Sequence, residues 1–97
     1  MGKVPKEEVE EFILKFSYRI KTEAGLHGRA AAKIVNKCYE YNSDVVIVFN
    51  GRIGFADSIM GLLNLEAKQG DIINIIIDGE DEVEVYDDLK LFLEENL

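Results

Sequence analysis

Residues 12–35 read FILKFSYRIKTEAGLHGRAAAKIV, and the spacing of apolar residues changes within this stretch. In its first part every second residue is apolar, which is typical of a strand with one apolar face: Phe12, Leu14, Phe16, Tyr18 and Ile20. Ala24 and Gly25 end this alternation. From Gly28 to about Tyr41 the apolar residues recur at helical spacing, at Ala31, Ile34, Val35 and Cys38. The stretch therefore predicts a strand, a loop and an amphipathic helix that buries one stripe.

The rest of the chain predicts further strands and helices. Residues 44–49 form a β-branched run, and Asn50-Gly51 after it is a strong signal for a two-residue hairpin with a short return strand over 52–55. A short helix is expected over 58–65 with Ser58 as its N-cap. Gly70 precedes another strand over 71–77. A capping box that begins at Asp81 then introduces a final helix, in which Val85, Tyr86, Leu89, Phe92 and Leu93 recur at helical spacing.

The order of these elements is β-α-β-β-α-β-α, which predicts an α+β fold. Short hairpins and helices between the strands favour an antiparallel or mixed sheet with helices on one side. Alternation in the last strand leaves two possibilities for its exposed face. Either Ile73, Ile75 and Ile77 or the pair Ile72 and Ile76 must point away from the helices, and exposed isoleucines favour a cover or a partner.

Residues 1–11 lie outside this plan and form an N-terminal extension to a domain over 12–97. Val4 and Val9 allow the extension to pack on the exposed face of the sheet, whereas its high charge allows it to be flexible. Both interpretations remain open at the level of sequence.

Composition limits the class of protein. With 97 residues, 47% apolar and 31% charged, the chain is expected to be one folded domain. A single cysteine excludes an internal disulfide, and Cys38 is expected in the core. No apolar run is long enough to insert into a membrane, and no signal peptide is evident, so a cytoplasmic location is expected. The net charge of −8 argues against nucleic-acid binding.

The candidate functional residues lie in residues 25–29, GLHGR. His27 is the only histidine, Arg29 follows it, and a predicted helix begins there. An imidazole, a cation and unpaired helix N–H groups together can hold a phosphoryl group. Further basic residues lie near His27 in sequence and favour an acidic partner or a phosphate, although they also fit a solvated helix face: Lys21, Lys33 and Lys37. One histidine and one cysteine are too few for a typical zinc site, and no metal or cofactor is expected.

These features together resemble the HPr family, the histidine-containing phosphocarriers of the bacterial phosphoenolpyruvate-dependent sugar phosphotransferase system. The resemblance covers roughly residues 12–95. It rests on GLHGR before a helix, on Asn50-Gly51, on residues 57–61 (DSIMG) and on residues 78–82 (DGEDE). It implies an open-faced β-sandwich, in which a four-stranded antiparallel sheet carries three helices on one face.

The resemblance also implies roles for particular residues. His27 would accept a phosphoryl group on Nδ1 from Enzyme I and pass it to EIIA domains, which makes the protein a carrier and not an enzyme. Arg29 and the backbone N–H groups of Gly28 and Ala30 would hold the phosphate. Ser58 would match the serine that an ATP-dependent HPr kinase/phosphorylase modifies to engage a catabolite-control regulator. An apolar patch would dock partners, and it comprises Ile59, Met60 and Leu63.

Two positions depart from the family's usual run, which is His-Ala-Arg-Pro-Ala. Gly28 and Ala30 replace the first alanine and the proline. Both changes remove backbone restriction beside His27, so slower or less discriminating transfer is our hypothesis. Two alternatives remain: a regulatory binding module that keeps Ser58 without carrying sugar-uptake flux, and an ordinary interaction domain in which His27 is incidental.

Overall fold

The computed structural model describes residues 13–97, which form four strands and three helices. The elements in chain order are β1 (Ile13–Arg19), α1 (Gly28–Cys38), β2 (Asp44–Phe49), β3 (Arg52–Phe55), α2 (Ile59–Leu63), β4 (Ile72–Asp78) and α3 (Glu82–Asn96). All strand pairs are antiparallel, and the strand order in the sheet is β1-β4-β2-β3. The predicted α+β order is confirmed, and the extension over residues 1–11 lies outside the described residues.

One face of the sheet packs against the helices and forms the core. The side chains of β1 that alternate inward include Phe16 and Tyr18, which are buried as the period of two predicts. The Tyr18 hydroxyl donates a hydrogen bond to the Leu93 carbonyl of α3 at 2.9 Å, which ties the edge strand to the last helix. Residues Ala30, Ala31, Ile34 and Val35 of α1 are buried on the same side. Cys38 packs partly buried against this core, as expected.

The structure shows which isoleucines of the central strand β4 face away from the helices. Ile73, Ile75 and Ile77 are fully buried toward the helices. Ile72 is exposed and Ile76 half-buried on the opposite face. The open face of the sheet therefore carries apolar side chains of its own.

The β2–β3 hairpin follows the predicted turn chemistry. Asn50 and Gly51 have φ angles of 54° and 79°, which match a type I′ turn. Phe49 pairs with Arg52 directly across it. At the end of β3, Gly54 lies so close to α2 that an added Cβ would be 2.8 Å from the Gly61 carbonyl oxygen. The absence of a side chain at Gly54 thus lets α2 pack onto the sheet edge.

The capping box predicted at Asp81 is wrong. Asp81 is the N-cap residue of α3, but its side chain makes no capping hydrogen bond. Its carboxylate instead accepts a hydrogen bond from the Asn42 N–H at 2.8 Å and another from the Ser43 hydroxyl. These contacts join the start of α3 to the loop before β2. Local sequence could not reveal them because the partners are nearly forty positions away.

The first helix is also shorter than predicted, since it ends at Cys38 and not near Tyr41. A turn follows, in which Glu40 and Tyr41 donate backbone hydrogen bonds to Lys37 and Cys38. In this turn the Tyr41 hydroxyl donates a hydrogen bond to the Asp88 carboxylate of α3 at 2.6 Å. This long-range contact competes with continuation of the helix.

Acid should weaken the link between Asp81 and the loop. Hydrogen bonds from Ser43 and then Asn42 hold the pKa of Asp81 below its ordinary value of 3.8. Because the folded-state pKa is depressed, this contribution to stability is full above about pH 4 and is lost as pH falls through the folded pKa. We expect Asp81→Asn to lower the free energy of unfolding at neutral pH and to make it fall less steeply on acidification. Urea unfolding across acidic pH measures both effects.

Asp87→Asn, which changes an exposed carboxylate of the same helix, is the matched control. An acid dependence of Asp81→Asn as steep as that of the parent would contradict the assignment.

Candidate functional site

The loop before α1 is anchored by a tight backbone approach. Gly25 adopts a left-handed φ of 68°, and a Cβ there would be 2.8 Å from the Ala67 carbonyl oxygen. The next residue, Leu26, is buried and donates its N–H to the same oxygen at 3.0 Å. The other end of the loop is held by α3, because Lys21 and Thr22 both donate backbone N–H groups to the Leu97 carbonyl. These contacts fix where α1 begins.

His27 is the N-cap residue of α1. Its backbone is extended, with φ −99° and ψ −177°, and its carbonyl accepts the first helical hydrogen bond from Ala31 at 2.8 Å. The imidazole turns over the helix end, where Nδ1 accepts a hydrogen bond from the Arg29 N–H at 3.3 Å. This contact assigns the ring proton to Nε2 and leaves the Nδ1 lone pair facing the N-terminus of the helix. The half-buried ring remains accessible at the surface.

Two basic residues, Arg29 and Lys33, lie in the first two turns of α1 after His27. Arg29 is exposed in the first turn of α1, and no ion pair engages it within residues 13–97. Lys33 lies one turn later and contacts Asn96 of α3, with 3.4 Å between its Nζ and the amide oxygen. Helix N-termini attract anions, and charge-assisted hydrogen bonds from guanidinium groups add to that attraction. The site can therefore hold a phosphoryl group at Nδ1.

One backbone donor of the first turn reaches the imidazole, and it belongs to Arg29. That the N–H groups of Gly28 and Ala30 hold a phosphate stays a prediction. Gly28 is exposed and Ala30 is buried on either side of Arg29 in the first turn. Arg29 can thus contribute both its backbone and its side chain to an anion on Nδ1.

Ser58 caps the second helix, as predicted. Its Oγ accepts a hydrogen bond from the Gly61 N–H at 2.9 Å, and its carbonyl accepts one from Leu62. Helices α1 and α2 contact each other, so the sheet brings the His27 and Ser58 helices to one side of the molecule. The side chain of Ser58 is half-buried.

The three residues expected to dock partners divide by exposure. Ile59 and Met60 are exposed, with 41% and 63% of their surface accessible. Leu63 is partly buried and packs against the core, while its neighbour Leu62 is fully buried. The exposed pair is therefore available to a partner, whereas Leu63 packs against the core.

A cavity of the described residues lies away from His27. It has a volume of about 380 Å³ and lies at the other end of α1, where Val35, Cys38 and Tyr39 line it. Within residues 13–97, no cluster of three or more acidic, histidine or cysteine side chains is placed to hold a metal ion. None of the described helices has the length and apolar character needed to cross a membrane.

Known proteins share this arrangement. A family model described as the PTS HPr component phosphorylation site matches residues 14–95, most of the chain. The chain belongs to the HPr family. The phosphocarrier protein HPr of Xylella fastidiosa (strain Temecula1 / ATCC 700964) is 40% identical over 70 residues, which are 72% of this chain and 79% of that protein. The HPr-like protein Crh of Bacillus subtilis (strain 168) is 36% identical over 83 residues, 86% of this chain and 95% of Crh.

Solved structures of the HPr family share the fold. HPr-C-His from Thermoanaerobacter tengcongensis superposes with a TM-score of 0.80 at 29% identity, over 86% of this chain and 93% of that one. Selenomethionyl Crh of Bacillus subtilis, described as a swapped dimer, gives 0.68 at 32% identity, over 82% and 92%. The four-stranded open sheet with three helices is thus confirmed, and the chain is an HPr-family phosphocarrier domain.

The sequence did not predict the backbone carbonyls that accept hydrogen bonds from the loop before α1. The carbonyls of Ala67 and Leu97 lie in segments distant from His27 along the chain. Gly25 alone indicated such a contact locally, because a glycine in a short loop before a helix is typical of a turn whose φ angle is unfavourable for other residues.

The two glycines on either side of Leu26-His27 should respond oppositely to alanine. Gly25→Ala places a Cβ against Ala67 at a left-handed φ, so we expect a loss of about 2–3 kcal/mol in the free energy of unfolding. Gly28→Ala meets no atom within 4 Å in a helical position, so we expect a gain of about 0.4–1 kcal/mol. Chemical denaturation of both variants measures the contrast. Equal effects would refute the anchoring role of Gly25.

Proposed function

We propose that this chain carries phosphoryl groups in the cytoplasm between Enzyme I and EIIA domains, with Nδ1 of His27 as the acceptor atom. The observation that carries the proposal is the orientation of the ring, whose Nδ1 accepts the Arg29 N–H at the start of α1. Membership of the HPr family supports it. A half-buried ring beside the exposed residues Gly28 and Arg29 also suits a protein that must present one atom to a donor and then to an acceptor.

The chemistry follows from the tautomer. The Nδ1 lone pair attacks the phosphorus of the donor, the Nδ1–P bond forms, and the bond from phosphorus to the donor atom breaks with its electron pair. The Nε2 proton can then leave to solvent. Transfer onward reverses these roles, since the acceptor attacks phosphorus and Nδ1 takes back the electron pair.

The helix end stabilises the charged product moderately. A phosphoryl group on Nδ1 displaces the ring from the Arg29 N–H and offers its own oxygens to that donor. An anion at a helix N-terminus gains about 0.3–1 kcal/mol, and the Arg29 guanidinium adds charge-assisted hydrogen bonds. Stronger stabilisation would oppose release of the phosphoryl group to the next protein.

A labelling experiment tests the acceptor. With phosphoenolpyruvate and Enzyme I, we expect the parent chain to acquire acid-labile, base-stable phosphate, and we expect none in His27→Ala. Arg29→Ala should label more slowly because it loses the guanidinium but keeps the backbone donor. Ser58→Ala is the matched control and should label as the parent does. Labelling that persists in His27→Ala would overturn the proposal, provided circular dichroism shows that the variant is folded.

Regulation through Ser58 is a second proposal, which the similarity to Crh favours. The motif of residues 57–61 matches the family's regulatory serine, and the exposed Ile59 and Met60 adjoin it. In this role an HPr kinase/phosphorylase would modify Ser58, and a catabolite-control regulator would bind the product. ATP-dependent labelling that is lost in Ser58→Ala, without labelling of His27 by Enzyme I, would identify a regulatory module in place of a carrier.

The residue at position 30 should tune the rate of transfer. In an α-helix the first-turn N–H groups have no helical acceptor, so Ala30→Pro costs no helical hydrogen bond and restricts the backbone beside His27. Backbone restriction of this kind changes the conformational free energy by about 0.4–1 kcal/mol. Applied to the activation free energy, this corresponds to about a two- to fivefold faster transfer. Rapid-quench kinetics with Enzyme I measures the rate. Gly28→Ala, which restores the other family residue, provides the comparison; rates identical to the parent would end the hypothesis of slowed transfer.

A further inference from the structure

The open face of the sheet, opposite the helices, carries apolar side chains from all four strands. Ile53 and Phe55 are the most exposed of them, with 62% and 60% of their surface accessible. Contiguous apolar surface on a sheet is typical of a site that binds a partner. The apolar side chains of the open face are Ile13, Val46, Val48, Ile53, Phe55, Ile72 and Ile76.

The pairing register arranges the open face in four rows that cross the strands, with about 6.8 Å between successive rows. Row one contains Ile13, Asp78 and Asp44, and row four contains Arg19 and Ile72. The two rows between them carry most of the apolar side chains: Lys15, Ile76, Val46 and Phe55 in row two, and Ser17, Asn74, Val48 and Ile53 in row three. The open face therefore has an acidic end, a largely apolar middle and a basic end at Arg19.

The two ends of the open face carry opposite charges that are not neutralised within residues 13–97, where no ion pair engages Asp44, Asp78 or Arg19. Asp44 and Asp78 pair directly across neighbouring strands, so their negative charges repel each other. The Arg19 guanidinium donates a hydrogen bond to the Gly70 carbonyl at 2.9 Å and remains exposed. A cation opposite the two aspartates would relieve their repulsion.

The charge pattern distinguishes two ways in which a second copy can stack on the open face about a two-fold axis. An axis parallel to the strands places each row over the same row of the partner, so the aspartates of row one face the partner's aspartates. An axis perpendicular to the strands reverses the order of the rows and places row four over the partner's row one. Arg19 then faces the acidic end of the other copy. Charge complementarity therefore favours the perpendicular axis.

The perpendicular axis also matches the apolar rows. Row two lies over the partner's row three, so Val46 and Phe55 face the partner's Val48 and Ile53. Stacked sheets lie about 10 Å apart, which lets side chains of both faces interdigitate. The face measures about 14 Å from β1 to β3 and about 20 Å along the strands, less than the roughly 800 Å² that each partner buries in a standard interface. We therefore expect a weak dimer, and the net charge of −8 on each copy opposes it further.

We propose that the open face is the interface of a weak two-fold dimer of this chain, with the axis perpendicular to the strands. Phe55 packs against the partner's Ile53, and Arg19 of each copy pairs with the partner's Asp78. The helical side of the sheet, with His27, remains accessible to other proteins in this dimer.

Sedimentation equilibrium of the full chain over a range of concentrations tests the apolar contact. We expect a monomer–dimer equilibrium in which Phe55→Ser raises the dimer dissociation constant by about tenfold or more, because both copies lose the phenyl ring. Val83→Ser is the matched control and should leave the constant unchanged, since Val83 is exposed on α3, on the helical side. A parent chain that stays monomeric at millimolar concentration would overturn the proposal.

Charge reversal tests the direction of the axis. Arg19→Glu and Asp78→Lys should each weaken the dimer by about fivefold or more, because the symmetry changes two pairs at once. An equimolar mixture of the two variants should recover the affinity of the parent, since both pairs across that heterodimer again have opposite charges. Asp87→Lys, on the exposed surface of α3, is the control for net charge.

Two outcomes of the charge reversal contradict the proposal, provided circular dichroism shows that the variants are folded. A tighter dimer of Asp78→Lys would indicate the axis parallel to the strands, and a mixture no tighter than its components would exclude the pairing of Arg19 with the partner's Asp78. Isotope-filtered nuclear Overhauser spectra of mixed labelled and unlabelled parent chain identify the occupant. We expect contacts of the Phe55 ring with the partner's Ile53. Contacts of that ring with its own chain alone would overturn the proposal.

Discussion

The close approach of the Gly25 turn to the Ala67–Lys68 backbone is the constraint on which the site depends. A Cβ at Gly25 would overlap both the Ala67 carbonyl oxygen and the Lys68 Cα. This contact buries Leu26, and Leu26 in turn places His27 at the first position outside the helix. The ring reaches the Arg29 N–H only because the chain enters the helix at that point. The position of the half-buried imidazole thus depends on a backbone contact with the segment before β4.

A phosphocarrier must satisfy two opposing requirements, and the geometry around His27 addresses both. The phosphoryl group needs donors that oppose its charge, and we propose that the helix end and Arg29 provide them. It also needs to leave, so the donors must not enclose it. The half-buried ring at the exposed start of α1 meets this second requirement. Partners can therefore approach the phosphorus from the side away from the helix.

The sequence predicts features that depend on neighbours along the chain and misses those that depend on distant ones. The period of β1, the Asn50-Gly51 turn and the Ser58 cap are local, and the structure confirms all three. The local spacing predicts that the Asp81 side chain caps α3. Its carboxylate instead accepts hydrogen bonds from Ser43 and Asn42, which lie far away along the chain. The acceptors behind the His27 loop escaped prediction because Ala67 and Leu97 offer only backbone carbonyls, which every residue carries.

The two departures beside His27 affect the carrier in opposite ways. Glycine at position 28 and alanine at position 30 leave the first turn less restricted, so more conformational entropy is lost when the phosphoryl group is bound. Alanine, however, keeps an N–H that proline lacks, and first-turn N–H groups are the donors that an anion at Nδ1 can use. We therefore expect the phosphorylated form to gain a donor and to lose pre-organisation. We expect the extra donor to stabilise only the charged product and the lost restriction to slow its formation, so that one change affects affinity and the other affects rate.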